Sequence, residues 1–431
     1  MNVRSIPSLE YTLSTARASA HVPSPSSTAP PPGADRERLS VIWVLVVGAA
    51  LVRAAGFSYP FLSYRLFELH FSAQGVSVVL AAFGAGWLVG QILLGRAADA
   101  LGRRTTLVGA MVLAALALPI LAEAATPIAV SAAAVIAGLV YDAPRPVISA
   151  VVADHVPDQA TRARIAGWRH FGINVGAAVT GGAGGLLVDI TGLSTLFWIN
   201  AGACVLFALC VAHYMPADQP QSTVPSDSSG LRAALRDPRL WVLWFTSFTA
   251  LIPVAGLFSI LPLLMADAGL AASAYGWTQV ASAGAVLLLS VPLNAWLARR
   301  AARGTSLVPL LACSTLILGV GLGSAGFATT TSGYVLAACV GIPGEIILFV
   351  AATVTLDHIA PAHARGLYAG IWGTTLAAAV ICAPLIAGWS LTAGGPHLVA
   401  AMTTLCGLLG AASCMPLAVL MRHEPQPTTP A

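Results

Sequence analysis

The sequence carries little charge for its length, and it contains no lysine. Only 9% of its 431 residues are charged and 57% are hydrophobic, whereas about a quarter of the residues in a soluble domain are charged. This composition excludes a soluble globular fold. All 21 basic residues are arginine, so a Walker A phosphate loop and a Schiff-base lysine are both excluded.

Metal-binding patterns are also missing. The seven cysteines lie inside apolar runs, with no C-x-x-C pair and no histidine at zinc spacing. We therefore expect no metal, no cofactor and small buried thiols. The net charge of +4 comes from arginines in short loops rather than from one basic stripe with aromatics, so the expected partner is a lipid bilayer and not nucleic acid.

What the sequence does contain is a series of long apolar runs between Val41 and Leu420. Each is about 18 to 26 residues long, enough to cross the hydrocarbon core as a helix, and the alternation of a membrane barrel is absent. We predict an all-α integral membrane protein with twelve transmembrane helices. The predicted spans are 41–66, 75–94, 106–123, 127–151, 164–188, 193–214, 240–265, 276–297, 306–327, 333–356, 366–388 and 397–420.

The arginines predict the orientation of these spans, because short cytoplasmic loops carry the excess of basic residues. They fall in the N-terminal tail, in every second loop and after the last span, whereas the opposite face has only Arg65. Both termini are therefore expected in the cytoplasm. The protein would be a multi-pass component of the inner (plasma) membrane.

Three polar segments flank or divide the spans. Residues 1–40 are rich in Ser, Pro and Ala and predict a disordered cytoplasmic tail. Residues 215–238 predict a flexible cytoplasmic linker between six-helix bundles at 41–214 and 239–421. Residues 422–431 form a C-terminal tail.

The two bundles share sequence. DHVPDQATRARIAG, from Asp154, aligns without gaps on DHIAPAHARGLYAG, from Asp357, at an offset of 203 that also pairs Gly138 with Gly341. Parallel repeats of six helices are typical of a two-lobed transporter with its substrate between the lobes.

A motif after the second span carries a family resemblance. The segment Gly95-Arg-Ala-Ala-Asp99-Ala-Leu-Gly102-Arg103-Arg104 resembles the signature G-x-x-x-D-R-x-G-R-R of the major facilitator superfamily, with Ala100 in place of one basic residue. The resemblance covers residues 41–420. It implies the major facilitator fold, two pseudo-symmetric six-helix bundles, and in particular similarity to twelve-span drug/proton antiporters.

In that family the motif is a cytoplasmic gate. Its glycines permit a tight turn, and Asp99 is suited to meet the N-terminal dipole of a helix in the other lobe and so to latch that side closed. The alternative to a latch is that the motif forms an exposed, hydrated turn whose charges only set the orientation of the chain in the membrane. Span five also resembles the family's antiporter motif at Gly167, Gly176, Gly184 and Gly185, with Thr180 replacing a glycine and Gly181 replacing the proline of its core G-x-x-x-G-P-x-x-G-G. Small residues there also serve helix packing whatever the transport direction.

Four charged residues lie deep inside predicted spans: Arg53 in span one, Asp142 and Arg145 in span four, and Glu345 in span ten. Such residues are candidates for function because charge in the membrane is costly. The repeat pairs Asp142 with Glu345, and either acid is a candidate proton carrier. Alternatively, Asp142 and Arg145 neutralise each other at i and i+3. For Glu345 we expect Arg53 as the partner across the cavity.

Candidate cavity aromatics are Tyr59, Tyr64, Tyr141 and Trp372, although aromatics near span ends also anchor helices at the lipid interface. Pro60 is expected to kink span one.

The predicted function is export of a small, largely apolar or amphiphilic molecule such as a drug, antibiotic or secondary metabolite, by proton antiport and rocking alternating access, in a monomer. The alternative is proton-coupled uptake of a metabolite; an enzyme is not expected.

Overall fold

The computed structural model describes residues 34–156, 159–218, 232, 234–361 and 364–422. Regular secondary structure in these ranges is helical. Residues 1–33 of the predicted tail, residues 219–231 and 233 of the predicted linker and residues 423–431 of the C-terminal tail lie outside the described ranges.

The helices follow one another with short connections. In the N-terminal half they are α1 (Ala34–Ala54), α2 (Ser58–Glu68), α3 (Ala73–Ala100), α4 (Arg103–Glu123), α5 (Pro127–Tyr141), α6 (Pro144–His155), α7 (Gln159–Thr191) and α8 (Leu193–Tyr214). In the C-terminal half they are α9 (Pro238–Gly256), α10 (Ile260–Asp267), α11 (Ala272–Ala302), α12 (Val308–Gly323), α13 (Thr331–Ile359) and α14 (Arg365–Arg422), with a 3₁₀ turn at Ser324–Phe327.

These helices account for the twelve predicted crossings. Ten helical segments of the described chain are long and apolar enough to span a membrane. One of them, Leu367–Arg422, is about 84 Å long at 1.5 Å per residue and contains non-helical backbone at Gly394 and Gly395, so it crosses twice. The short helices α5 and α6 together supply the remaining crossing, span four.

Spans one and seven are each interrupted at the same place in the repeat. The break between α1 and α2 and the break between α9 and α10 are 202 positions apart. In each case a proline, Pro60 or Pro262, is the third residue after the break. Proline has no N–H for the carbonyl four residues earlier and clashes with it, so the preceding turn unwinds. The predicted kink at Pro60 is present, and the repeat reproduces it.

Span four differs from the sequence-based prediction of one helix over 127–151. It is broken at Asp142 and Ala143, between α5 and α6. Pro144 and Pro146 have no N–H to donate to the carbonyls of Val140 and Asp142, which prevents a regular helix from continuing. The break places Asp142 at the end of α5 rather than in a helix interior.

The two halves approach each other most closely at one end, which we call the closed end. There α2 packs on α10, and α7 packs on α11. A Cβ on Gly276 would lie 2.5 Å from the carbonyl oxygen of Gly181, and one on Gly388 would lie 2.1 Å from Oγ of Ser77. Glycine is therefore required for this approach, which seals the halves together.

We call the opposite end, which carries the loop between α3 and α4, the open end. Gly95 of the N-terminal half and Gly370 and Gly373 of the C-terminal half have no neighbouring atom within 4 Å of a Cβ position. Asp99 is exposed. At these three glycines the halves make no close contact, and we call the space between the halves at this end the cleft.

Candidate functional site

Arg53 connects the two halves near the middle of the molecule. It lies in the last turn of α1, just before the break in span one. Its Nη1 donates a hydrogen bond of 2.8 Å to the hydroxyl of Tyr141 in span four. Its Cζ also lies 5.5 Å from the ring centroid of Phe258, in the break of span seven, at a distance suited to a cation–π contact.

Thr180 of span five supports this turn. Its hydroxyl lies 2.7 Å from the carbonyl oxygen of Arg53 and 3.0 Å from that of Ala54. The end of a helix leaves such carbonyls without their i+4 partners; the Arg53 carbonyl also accepts a hydrogen bond of 3.0 Å from the N–H of Gly56. The residue that replaces a glycine of the antiporter motif thus supports the broken helix. Gly176, one turn earlier, allows the close approach, since its Cβ would lie 3.1 Å from Cγ of Arg53.

Tyr141 is the centre of an aromatic cluster beneath Arg53. Its ring centroid lies 6.0 Å from that of Tyr59, 5.2 Å from Phe83 and 5.6 Å from Trp87. These side chains come from spans one, two and four, so the cluster fixes the three helices around the guanidinium. Two of the four candidate cavity aromatics, Tyr59 and Tyr141, therefore lie together.

Asp142 has four polar neighbours, one of which is the indole N–H of Trp87. Its Oδ2 lies 2.8 Å from Nε of Arg145 and accepts a hydrogen bond of 3.2 Å from Nε2 of Gln91. Arg53 is also close enough for its charge to act on this carboxylate. The neutralising pair at i and i+3 is thus present, although the break in span four separates its two members.

Glu345 has a different environment from its repeat partner. It lies midway along α13 and is half-buried. Among the described residues it has neither a hydrogen bond nor an ion pair, and the expected contact with Arg53 is not formed in this conformation. Gly344 beside it packs against span nine, where a Cβ would lie 2.8 Å from the carbonyl oxygen of Ser314.

The other two candidate aromatics lie apart from this centre. The ring of Tyr64 lies 6.1 Å from that of Tyr275, across the contact between the halves at the closed end. Trp372 lies in the C-terminal half, where its indole N–H donates a hydrogen bond of 2.9 Å to Oγ of Ser247. Neither contacts the cluster around Tyr141 through a ring or hydrogen bond in the part of the chain described.

The gate motif is held by a residue that the sequence did not indicate. Asp218 accepts hydrogen bonds from the backbone N–H groups of Arg104 (2.9 Å) and Thr105 (2.8 Å) at the start of α4. Gly102 has φ of +96°, and a Cβ there would lie 2.1 Å from Cγ of Asp218. Two parts of the motif, Gly102 and Arg104, therefore dock the segment that leads into the linker.

The other end of the linker is held in a similar way. Asp237 accepts a hydrogen bond of 2.9 Å from the N–H of Arg239 and caps α9. It also accepts one of 3.0 Å from the hydroxyl of Tyr368 at the start of span eleven. The Asp237-Pro238 pair before an apolar run is a recognisable helix-start signal. Asp218 has no such local signal, because its partners lie more than 100 positions earlier.

Both aspartates ionise readily. Partial burial acts to raise the pKa of Asp218, but the hydrogen bonds from Thr105 and Arg104 outweigh it and hold the pKa below its ordinary value. For Asp237, partial burial is likewise outweighed, here by Arg239 and Tyr368, and its pKa is also lowered. Neither group belongs to a metal site: the described residues contain no cluster of three or more His, Cys, Asp or Glu side chains suited to a metal ion.

Comparison with known proteins gives relatives along most of the chain. The sequence is 29% identical over 384 residues to the multidrug efflux pump Tap of Mycolicibacterium fortuitum, covering 82% of this chain and 90% of the relative. It is 28% identical over 347 residues to the multidrug resistance protein MdtH of Aeromonas salmonicida (strain A449), covering 78% and 84% of the two chains.

Solved structures share the fold at low sequence identity. A POT family transporter in complex with a thioalcohol-conjugated peptide superposes with a TM-score of 0.72 at 12% identity, over 90% of this chain and 96% of the other. The sequence profile of the Major Facilitator Superfamily matches residues 42–378. This chain is therefore a membrane transporter rather than an enzyme, and it belongs to the Major Facilitator Superfamily.

Proposed function

We propose that this transporter exports a small amphiphilic or largely apolar molecule, such as a drug, an antibiotic or a secondary metabolite, in exchange for protons. The observation that carries the proposal is the similarity, over about four fifths of the chain, to two proteins named for multidrug efflux or resistance. It agrees with the antiporter-like glycine pattern of span five, where Gly181 packs against the other half.

The arginine distribution supports a cytoplasmic position for the open end. Arg96, Arg103 and Arg104 lie at this end, as do the helix ends beside the linker, and short basic loops remain cytoplasmic. The conformation described here is then open to the inside of the cell, ready to take up a molecule from the cytoplasm or inner leaflet. Rocking of the halves would open the closed end.

Glu345 is the first candidate proton carrier. A carboxyl group midway along a span, without a partner among the described residues, is costly to keep ionised there, so proton uptake and release can follow its access to water. Asp142 is the second candidate, because Arg145 and Gln91 hold it in its present position. A proton on Asp142 would weaken that ion pair and free Arg145.

The test is expression in a pump-deficient bacterium, with sensitivity and accumulation measured across a panel of toxic compounds. We expect the wild type to protect and to lower accumulation, and Glu345→Gln and Asp142→Asn to lose both effects. Asp189→Asn is the matched control, since Asp189 is an exposed acid near the closed end of span five, and it should behave as wild type.

Two results would overturn parts of the proposal. Accumulation above that of control cells would replace export with proton-coupled uptake. Protection that survives both carboxylate substitutions would remove the proton-carrier assignment. Transport into proteoliposomes with an imposed pH gradient then tests protons as the coupling ion. A transport rate that does not depend on the gradient contradicts proton antiport.

A further inference from the structure

The N-terminal half carries an excess of positive charge in and beside its spans. Arg53 and Arg145 lie in spans one and four, Arg169 lies two residues before the apolar span Phe171–Thr191, and Asp142 is the carboxylate among them. The charges of Arg53 and Arg145 both act on Asp142, and Arg169 is close enough to interact with Arg145 and Asp142. One carboxylate therefore balances one of three guanidinium groups.

Three side chains continue this cluster toward the open end. Arg145 begins α6, and Ser149 lies one turn further along the same face. Nη1 of Arg169, from α7, donates a hydrogen bond of 2.7 Å to Oγ of Ser149, and this hydroxyl in turn donates one of 2.8 Å to the carbonyl oxygen of Arg145. We call Arg145, Ser149 and Arg169 the arginine row.

The arginine row lies against water rather than lipid. The side chain of Arg145 is 47% exposed although it lies within a membrane crossing. Exposing a guanidinium to hydrocarbon costs several kcal/mol, so we expect the exposed surface of Arg145 to meet water. Only Nε of Arg145 and Nη1 of Arg169 have side-chain partners in the described ranges. The remaining N–H groups of both forks are available to an acceptor in the cleft.

The C-terminal half offers a surface of opposite character. Spans seven and eleven carry no charged residue from Trp241 to Ala266 or from Gly366 to Gly394. The rings of Trp244 and Phe248 stack with centroids 5.2 Å apart. The indole N–H of Trp244 is bonded to Thr374, and that of Trp372 to Ser247. With their polar atoms bonded, these rings present flat apolar faces near the open end.

We infer that the arginine row binds the carboxylate, sulfonate or phosphate group of the transported molecule, whose apolar body packs on the aromatic side chains of spans seven and eleven. The inference rests on the proposed function and narrows its substrate class to amphiphilic anions. A planar guanidinium group can form two parallel hydrogen bonds to the oxygens of a carboxylate, sulfonate or phosphate. The hydroxyl of Ser149 lies beside these groups. Even with Glu345 ionised, the three arginines Arg53, Arg145 and Arg169 outnumber the two carboxylates Asp142 and Glu345.

The test uses two dyes with the same xanthene core and opposite charge. Purified protein in phosphatidylcholine nanodiscs is titrated with anionic fluorescein and with cationic rhodamine 123, and binding is followed by fluorescence anisotropy. We expect fluorescein to bind more tightly. Arg169→Gln should weaken fluorescein binding about tenfold, as expected for a charged hydrogen-bonding group, and leave rhodamine 123 unchanged or tighter. Arg169→Lys should restore part of the affinity, and Arg299→Gln, outside the row at the end of span eight, should change neither.

Opposite outcomes overturn the inference. If Arg169→Gln lowers the affinity for both dyes equally, the arginine row has only a structural role. If the wild-type protein binds rhodamine 123 more tightly than fluorescein, the row does not select an anionic ligand. Phosphatidylglycerol added to the nanodiscs distinguishes the source of the anion: displacement of fluorescein would assign the row to a lipid headgroup. Efflux by cells is measured separately, so export of rhodamine 123 without fluorescein binding would leave the proposed function intact and remove only this inference.

Discussion

The guanidinium of Arg53 donates a hydrogen bond of 2.8 Å to the hydroxyl of Tyr141, and this bond joins the broken turn of span one to the broken region of span four. Both helices lose their regular backbone pairing at this level. Interrupted helices can change their angle when one half moves relative to the other, and the bond between these two residues lies at the interruptions.

Tyr141→Phe removes the acceptor for Arg53 and should reduce transport about tenfold. A hydrogen bond to a charged group contributes about 1.5–3 kcal/mol and less in a part-buried position such as this one, so its loss will also lower the melting temperature. Transport of a substrate in cells and thermal unfolding of purified protein are the two measurements. Tyr64→Phe is the control, because the Tyr64 hydroxyl is buried without a hydrogen-bond partner among the described residues; a loss of similar size there would show that any tyrosine hydroxyl matters.

Gly276→Ala should shift the transporter toward opening at the closed end. The added Cβ would lie 2.5 Å from the carbonyl oxygen of Gly181, which is closer than packed atoms approach, so the halves must separate there. Spin labels on Ile128 and Ala268, at the closed end of either half, should report a population with longer distances. The labels require a background without the seven free cysteines.

Gly284→Ala is the control for Gly276→Ala. Gly284 lies on the same helix as Gly276, and a Cβ at Gly284 would have no atom within 4 Å. Its distance distribution should match that of the unsubstituted protein. If both substitutions give the same distribution, the glycine contact does not hold the closed end shut.

The sequence was sufficient for the twelve crossings and the repeat, because long apolar runs and offset motifs are local or periodic signals. It also indicated the pairing of Asp142 with Arg145, which needs only spacing along one helix. It did not indicate that span four is broken between them, although Pro144 and Pro146 were visible, since prolines within membrane helices are often accommodated without a break. The environment of Glu345 depends on the relative position of two halves, which no local pattern encodes.

Asp218→Ala should destabilise the protein at neutral pH, because Asp218 satisfies two N–H groups at the start of α4. Loss of such a cap costs about 1 kcal/mol, reduced here by solvent screening of a partly exposed carboxylate. Thermal unfolding of purified protein measures the difference. Asp189→Ala, at an exposed position outside the capping region, should leave the melting temperature unchanged.

The same cap has a defined pH dependence. The pKa of Asp218 is lowered in the folded protein, so its contribution is complete above the ordinary aspartate value of about 4 and is lost as the pH falls through the lower folded value. The difference in melting temperature between wild type and Asp218→Ala should be constant from pH 7 to 5 and shrink at more acidic pH. A difference that grows on acidification contradicts the assignment.

Asp99→Asn tests the proposed latch of the gate motif. In the conformation described here Asp99 is exposed and has no hydrogen bond or ion pair among the described residues, so its substitution should leave both stability and substrate binding unchanged. The latch would form only when the open end closes and Asp99 reaches the N-terminus of a helix in the other half, where a full charge is favoured by about 0.3–1 kcal/mol over a neutral amide. Transport should therefore fall severalfold while the expression level and melting temperature match the wild type. Transport at the wild-type rate would leave the motif as a hydrated turn whose charges only orient the loop.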